Sequence, residues 1–229
     1  METLIPESLA EQIRGQSQHA ALEGFVYGRG PAEPKLMLIG EAPGETEVHS
    51  GLPFTGRAGK ELTASLEEAG LSREEMYITS AVRSRPYRWG RRNNRDGTTT
   101  LRKYNRPPTK KEIALHAPLL DVELEQTTAP LLVTLGNVGL QRLIGKHHTI
   151  SEQHGRLYEG PVLYWDGTGF AWTARTYKLL PTFHPASVFY NPSVREKVHA
   201  DWQQIAHVLQ QTTGRQKGEP PCHSSRKSD

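Results

Sequence analysis

The chain has 229 residues, 35% apolar and 23% charged, a composition that supports one globular domain with extensions under a strongly polar surface. The formal charge is only +3, with an isoelectric point near 9.0, and the one cysteine, Cys222, excludes an internal disulfide framework and a multi-cysteine zinc or iron–sulfur site. No apolar run approaches the roughly eighteen residues of a membrane span, and the start METLIPESLAEQIRGQ lacks a basic stretch followed by an apolar one, so a cytoplasmic protein with no membrane association is expected.

In chain order, Pro6–Gly24 reads as an amphipathic helix with Leu9, Ile13 and Ala20 on one side. Lys35–Ile39 (KLMLI) is too short for a helix and reads as a buried strand. It runs into GEAPGETE, Gly40–Glu47, where two glycines permit a tight backbone, Pro43 stiffens it and Glu41 stands at the mouth. Gly56–Ala69 is a helix with Leu62, Leu66 and Ala69 on one face and Gly70 as its C-cap. Met76–Val82 is a second strand, and Arg83–Pro108 is read as irregular. Thr109 N-caps a helix through Glu125, with Glu112 at the capping-box position. Pro130–Leu135 is a third buried strand and Gly136–Ile144 the helix after it. His147–Tyr158 is ambiguous, a short hairpin arm being one reading. Pro161–Trp165 and Arg175–Pro181 flank a turn at Asp166–Gly169, Asn191–Gln211 is the last helix, and 212–229 is a disordered tail.

Strands alternating with helices predict a mainly parallel sheet with helices on both faces. Ligands of such sheets bind beyond the carboxyl ends of the strands, which brings Glu41–Phe54, Ser80–Arg85 and Phe183–Ser187 to one cleft. Pro185 restricts His184 to extended backbone and so fixes its imidazole. Phe54 can stack on a planar base, and Arg57, at a helix start, suits a phosphate. Between Arg83 and Lys111 stand eleven Lys/Arg and one acid, Asp96, a block that predicts an anionic partner. His147, His148 and His154 fit no zinc spacing, so no metal site is expected.

The strings GEAPGETE, GLPFTGRAGKEL, YITSAVRSRP, NRPPTKKEI, LVTLGNVGLQRLIG and LPTFHPAS together resemble the uracil-DNA glycosylase superfamily, most closely its bacterial and archaeal family 4, from about Pro34 to Leu209. The resemblance implies a three-layer α/β/α domain over 1–211 with a central four-stranded, mainly parallel sheet, and 83–108 as a basic loop insertion. It also implies a DNA repair enzyme that flips a uracil, or a related deaminated base, into a pocket and hydrolyses its N-glycosidic bond, initiating base excision repair. Such an enzyme is monofunctional, because no lysine stands at a matched active-site position, and is expected as a monomer in a bacterial or archaeal cytosol. Carried over, Glu41 handles the water and sugar, His184 lies near the base carbonyl, and Asn105 matches a polar active-site asparagine. Ala42, Pro43, Gly44, Glu47, Phe54 and Ser80 contact the substrate. Ser187, Val188 and Phe189 fall in a loop that wedges into the duplex; by their charge and position, not by the resemblance, Arg57 at a helix start and Arg91, Arg92 and Arg95 in the basic insertion are expected to contact DNA.

The sequence departs from the family in three places. Ser84 and His116 replace two of four cluster-binding cysteines and the N-terminal pair is absent, so no iron–sulfur cluster and no other cofactor is expected. Ser80 replaces an asparagine that reads the base edge, a loss of about 1–3 kcal/mol of discrimination by analogy with bidentate base contacts. The 83–108 insertion has no histidine, unlike a DNA-cross-linking branch, so no covalent trapping of DNA is expected. The alternative is a catalytically weak protein of the same fold that binds DNA or damaged bases. A phosphate-binding nucleotide fold is disfavoured by the lack of G-x-x-x-x-G-K-[ST] and G-x-G-x-x-G.

Overall fold

The structure, a computed structural model, describes residues 2–216. Strands β2 (Leu36–Gly40), β3 (Met76–Ser80) and β6 (Leu132–Leu135) are buried at every position. Strands covered on both faces lose the polar alternation of half-exposed ones, which is why KLMLI and PLLVTL read as unbroken apolar runs. Within β2, Leu36 and Leu38 enter one apolar layer with Leu62 and Leu66 of α3 (Arg57–Glu68) and Trp202 and Ile205 of α8 (Arg195–Gln216). Met37 and Ile39 enter the opposite layer with Leu120 and Leu124 of α4 (Lys110–Gln126) and Leu140 and Leu143 of α5 (Asn137–Ile144). Successive side chains of a strand point to opposite faces, and each face is capped by helices, giving three α/β/α layers. Helix α1 (Glu7–Ser17) stops before Ala20 and packs Ala10 and Ile13 against Leu119 of α4.

The main sheet has five strands in the order β3-β2-β6-β8-β7, not four. Four are parallel; β7 (Tyr158–Trp165) pairs antiparallel with β8 (Phe170–Thr182). Strand β8 is longer than the sequence suggested because it serves twice: Leu179–Thr182 pair with β6 while Phe170–Leu179 form a hairpin with β7.

The 83–108 insertion is ordered, contrary to the irregular reading. Strands β4 (Arg85–Asn93) and β5 (Thr99–Asn105) form a hairpin, joined at its base by β1 (Leu22–Glu23). Its charged, glycine-containing sequence hides the strand signal, but Tyr87, Trp89, Leu101 and Lys103 alternate on one face. His147–Tyr158 supplies the short helix α6 (Ile150–Gln153) and the start of β7, not a hairpin arm. The capping box at Thr109 is present: the Glu112 amide donates to Thr109 Oγ1 at 3.3 Å and the Thr109 amide donates to Glu112 at 2.7 Å. Helix α8 continues through the expected boundary at 212; the rest of the expected tail, with Cys222, lies outside the described residues.

Candidate active site

The carboxyl ends of β2, β3 and β8 open onto a cleft of about 660 Å³ whose walls include Glu41, Phe54, Ser80, Asn105, His184 and Tyr190. A second hollow of similar size at the other end of the sheet, near Pro34 and Pro130, has no aromatic or imidazole in its wall. Ala42, Pro43, Gly44, Glu47 and Arg57 also border the first cleft, so the sequence-predicted groups on the GEAPGETE loop converge there. Arg91, Arg92 and Arg95 do not: they are exposed on the hairpin away from the cleft.

Glu41 is half-buried directly after β2. Among the described residues its carboxyl has no hydrogen-bond or ion-pair partner, and burial alone raises its pKa above the usual carboxylate value. No cation stands beside it among the described residues to offset that burial.

His184 follows β8. Its Nδ1 accepts the Ala186 amide proton at 3.1 Å, which leaves the proton of a neutral ring on Nε2. Burial drives its pKa down to about 4 against a weaker raising pull from Glu47, so the ring is a neutral donor at physiological pH. Gly136, at φ +88°, lies beneath it; a Cβ there would approach His184 Cβ to 3.0 Å. His154 supports the same loop: it bonds Asp201 at 2.9 Å and its ring lies 4.8 Å from that of Phe183.

Phe54 is the one non-glycine residue with positive φ (52°) among those described, a strained state for a bulky side chain. Its ring lies 5.9 Å from His184 and rests on Gly40, where a Cβ would come within 2.6 Å of it. Glu47 holds the strained loop. One carboxylate oxygen accepts the Thr55 and Gly56 amide protons at 3.0 and 2.7 Å, and the other accepts that of Gly44 at 3.0 Å. Glu47 itself sits in α2 (Glu45–Ser50), a helix unforeseen in the acidic loop. The Arg73 guanidinium donates to the Pro53 carbonyl from behind.

Asn105 ends β5 at the rim, its Oδ1 accepting from Arg85 Nε at 2.6 Å. Arg85, buried and also bonded to Glu23, closes the segment the sequence brings to the cleft, but its part in holding Asn105 is not visible there because it looks like one more charge of the basic block. Ser80 lines the cleft, but its hydroxyl donates to the Val82 carbonyl at 2.8 Å, so its single proton is not free for a base. The wedge loop differs from expectation. Val188 is 4% exposed within the core and Phe189 lies under Arg57, whose guanidinium is 3.8 Å from the ring. Ser187 is half-buried beside them at the start of the short helix α7 (Ser187–Tyr190), and the residue left in solvent is Tyr190, 88% exposed.

Behind Ser80, Arg83 and Glu123 form a fully buried ion pair. Thr79 and Tyr77 also donate to Glu123, at 2.8 and 3.0 Å. Ser84 is buried next to Arg83, and His116 is buried with its Nδ1 accepting the Arg83 amide proton at 3.2 Å. Neither offers a thiolate, so these positions do not fit a four-cysteine iron–sulfur cluster. Among the described residues no group of three or more His, Cys, Asp or Glu side chains could hold a metal ion, and no helix is long and apolar enough to cross a membrane.

Comparison with known proteins gives a sequence profile match over residues 27–207 to the family described as Uracil DNA glycosylase superfamily. The chain is similar to a protein of Saccharolobus solfataricus named type-4 uracil-DNA glycosylase, 35% identical over 88% of this chain and 85% of that one. Proteins of the same name from Archaeoglobus fulgidus (32%; 83% and 84% covered) and Thermotoga maritima (31%; 76% and 77%) are also similar.

Proposed function

The chain belongs to the uracil-DNA glycosylase superfamily, and on that footing we propose that it is a monofunctional DNA glycosylase that removes uracil or a related deaminated base and so initiates base excision repair. The observation that carries the reading is the pairing, in one cleft, of an unpartnered carboxyl at Glu41 with a neutral imidazole donor at His184. The target nucleotide flips into the cleft and its base lies against Phe54. As the bond between the sugar C1′ and the base N1 breaks, its electron pair passes into the uracil ring, and His184 Nε2–H donates to the developing oxyanion. The Glu41 carboxylate stabilises the oxocarbenium-like sugar and orients water. Water oxygen bonds to C1′, its proton passes to the carboxylate and from there through solvent to the uracil anion, and an abasic sugar and neutral free base result with Glu41 again ionised.

Glu47 is a positioning residue: it holds Phe54 through the flanking amides. Asn105, fixed by Arg85, presents its amide at the rim. Tyr190, in place of Val188 or Phe189, enters the gap left by the flipped nucleotide, as apolar wedges do, with Arg57 and Ser187 beside it at the backbone. Arg91, Arg92 and Arg95 contact phosphates. The protein works as a monomer in the cytosol without an iron–sulfur cluster, through one domain spanning 1–211.

The test is single-turnover excision from a uracil-containing oligonucleotide by wild type, Glu41→Gln and His184→Ala. Each variant is expected to lose roughly a hundredfold or more, with DNA affinity changed much less because phosphate contacts supply most of it. Variants as fast as wild type would remove this cleft from the chemistry. A wild type inert on uracil, hypoxanthine and xanthine would leave only binding.

A further inference from the structure

The hairpin β4–β5 has two unlike faces. On one, Tyr104 lies across Gly90, where a Cβ would be 2.8 Å from the ring, and Arg88 covers Tyr104 at 5.7 Å. On that face the Tyr104 ring is covered by the hairpin's own side chains. The other carries the cross-strand pairs Tyr87–Asn105, Trp89–Lys103 and Arg91–Leu101. Here Trp89 is 59% and Leu101 69% exposed. Lys103 lies 4.5 Å from the Tyr87 ring and 5.6 Å from that of Trp89, with its ammonium bonded to Glu23 at 2.6 Å. The two rings meet edge to face at 5.9 Å.

This open face begins at the cleft, since Asn105 is one of its residues and also borders the site. The hairpin is tied to the cleft from its opposite face: Arg102 bonds Glu45, a cleft residue, at 2.7 Å. With a rise of about 3.4 Å per residue, Trp89 and Leu101 lie about 7 and 14 Å out from Asn105 along the ribbon. These distances match about two and four stacked base steps of a strand at 3.4 Å each. A flat aromatic flanked by Arg91 and Lys103, within a segment carrying a single acid, is complementary to a base with its phosphate. A wholly apolar partner gains nothing from the cations, and a wholly acidic one gains nothing from the exposed Trp89 and Leu101.

We propose that this face of the hairpin is a stacking platform for unpaired DNA adjoining the target nucleotide, with Trp89 as its principal base contact and Leu101 beyond it. The proposal rests on DNA being the substrate, but not on the cleavage chemistry. It gives the protein a preference for single-stranded or locally opened DNA. A paired base keeps its faces stacked on its neighbours, so the platform has nothing to hold in intact duplex.

The test uses the full chain and a labelled oligothymidylate, which carries no excisable base. Trp89→Ala is expected to weaken single-strand binding about tenfold and duplex binding by about twofold or less, the former being the scale of one lost base–aromatic stack. Trp89→Phe should keep most of the affinity. Trp172→Ala, an exposed tryptophan on β8, should change neither. Oligothymidylate should also quench the intrinsic fluorescence of wild type, and Trp89→Phe should abolish that quenching while keeping the fold. Unchanged quenching in Trp89→Phe, or an equal loss on duplex and single strand in Trp89→Ala, would overturn the platform. If wild type fails to excise uracil yet shows the Trp89-dependent quenching, the platform stands and the catalytic reading falls.

Discussion

Replacing Glu47 with Gln tests whether the loop that carries Phe54 is held by one carboxylate. In the wild type three amide protons converge on two oxygens, those of Thr55 and Gly56 on one and that of Gly44 on the other. A glutamine supplies a single acceptor. If its carbonyl keeps the Thr55–Gly56 side, its NH2 group faces the Gly44 N–H, and one charge-assisted bond is lost while two donors oppose each other. Hydrogen bonds to charged groups are worth about 1.5–3 kcal/mol, so a loss of about 2–4 kcal/mol is expected once the donor clash is added. For a chain of this size each kcal/mol moves Tm by about 2–4 °C, giving a fall of about 4–16 °C in a calorimetric melt. The second readout is catalytic. Phe54 holds a left-handed backbone that costs about 1–3 kcal/mol, and with the Thr55 and Gly56 amides held only by a neutral carbonyl, and the Gly44 bond lost, it can relax and withdraw its ring from Gly40 and His184. Single-turnover excision by Glu47→Gln should therefore fall with Tm, whereas in a Phe54→Ala background the same change should cost little further activity, a non-additivity expected of coupled residues. A Tm unchanged within about 1 °C, or fully additive losses of activity, would refute this account of the loop.

Glu41→Gln should raise Tm while lowering the rate. The folded pKa of Glu41 lies above its unfolded value because of burial, so the cost of ionising it is fully present above the folded pKa and vanishes as pH falls below the unfolded one; the gain in a melt at pH 7.5 should shrink toward pH 4. The wild-type single-turnover rate should fall as acidification protonates Glu41, with no limb at the ordinary imidazole pKa, since His184 titrates at about 4; a limb near 6.5 that disappears in His184→Ala would contradict the neutral-donor role. Glu123→Ala strands the buried Arg83 guanidinium, and breaking a buried pair in this way costs about 3–5 kcal/mol, to be measured by denaturant unfolding; a loss below about 1 kcal/mol would show that water reaches Arg83. Neutralising Arg91, Arg92 and Arg95 together should flatten the slope of log K against log salt on duplex DNA by about 2.7 if all three meet phosphates, and an unchanged slope would make them bystanders.

The parallel strands were legible because burial on both faces leaves an uninterrupted apolar run, and α4 because its capping box is a local signal that the structure repeats bond for bond. The GEAPGETE and HPAS segments were legible as strand-end loops, and both border the cleft. What the sequence concealed depended on long-range geometry. The hairpin was hidden because its residues are chosen for charge and exposure, not for a buried face. Strand β7 joins the sheet through a partner that also pairs elsewhere, which no local pattern reports. Val188 and Phe189 were read as a wedge from their apolar character, yet that same character draws them into the core and leaves Tyr190 outside. Ser80 was read as a base contact from its position alone, while its proton goes to a carbonyl two residues away.

Strands β2 and β8, which deliver Glu41 and His184, are not neighbours; β6 lies between them. Two inter-strand spacings of about 4.8 Å each therefore fix the gauge between the two loops, and Gly136, at the end of the intervening strand, acts as the shim against His184. The width of the reacting site is thus a lattice constant of the sheet, independent of whatever the loops beyond it become. Segments at the rim can lengthen, acquire charge or grow into a ribbon such as β4–β5 while the carboxylate and the imidazole keep their separation.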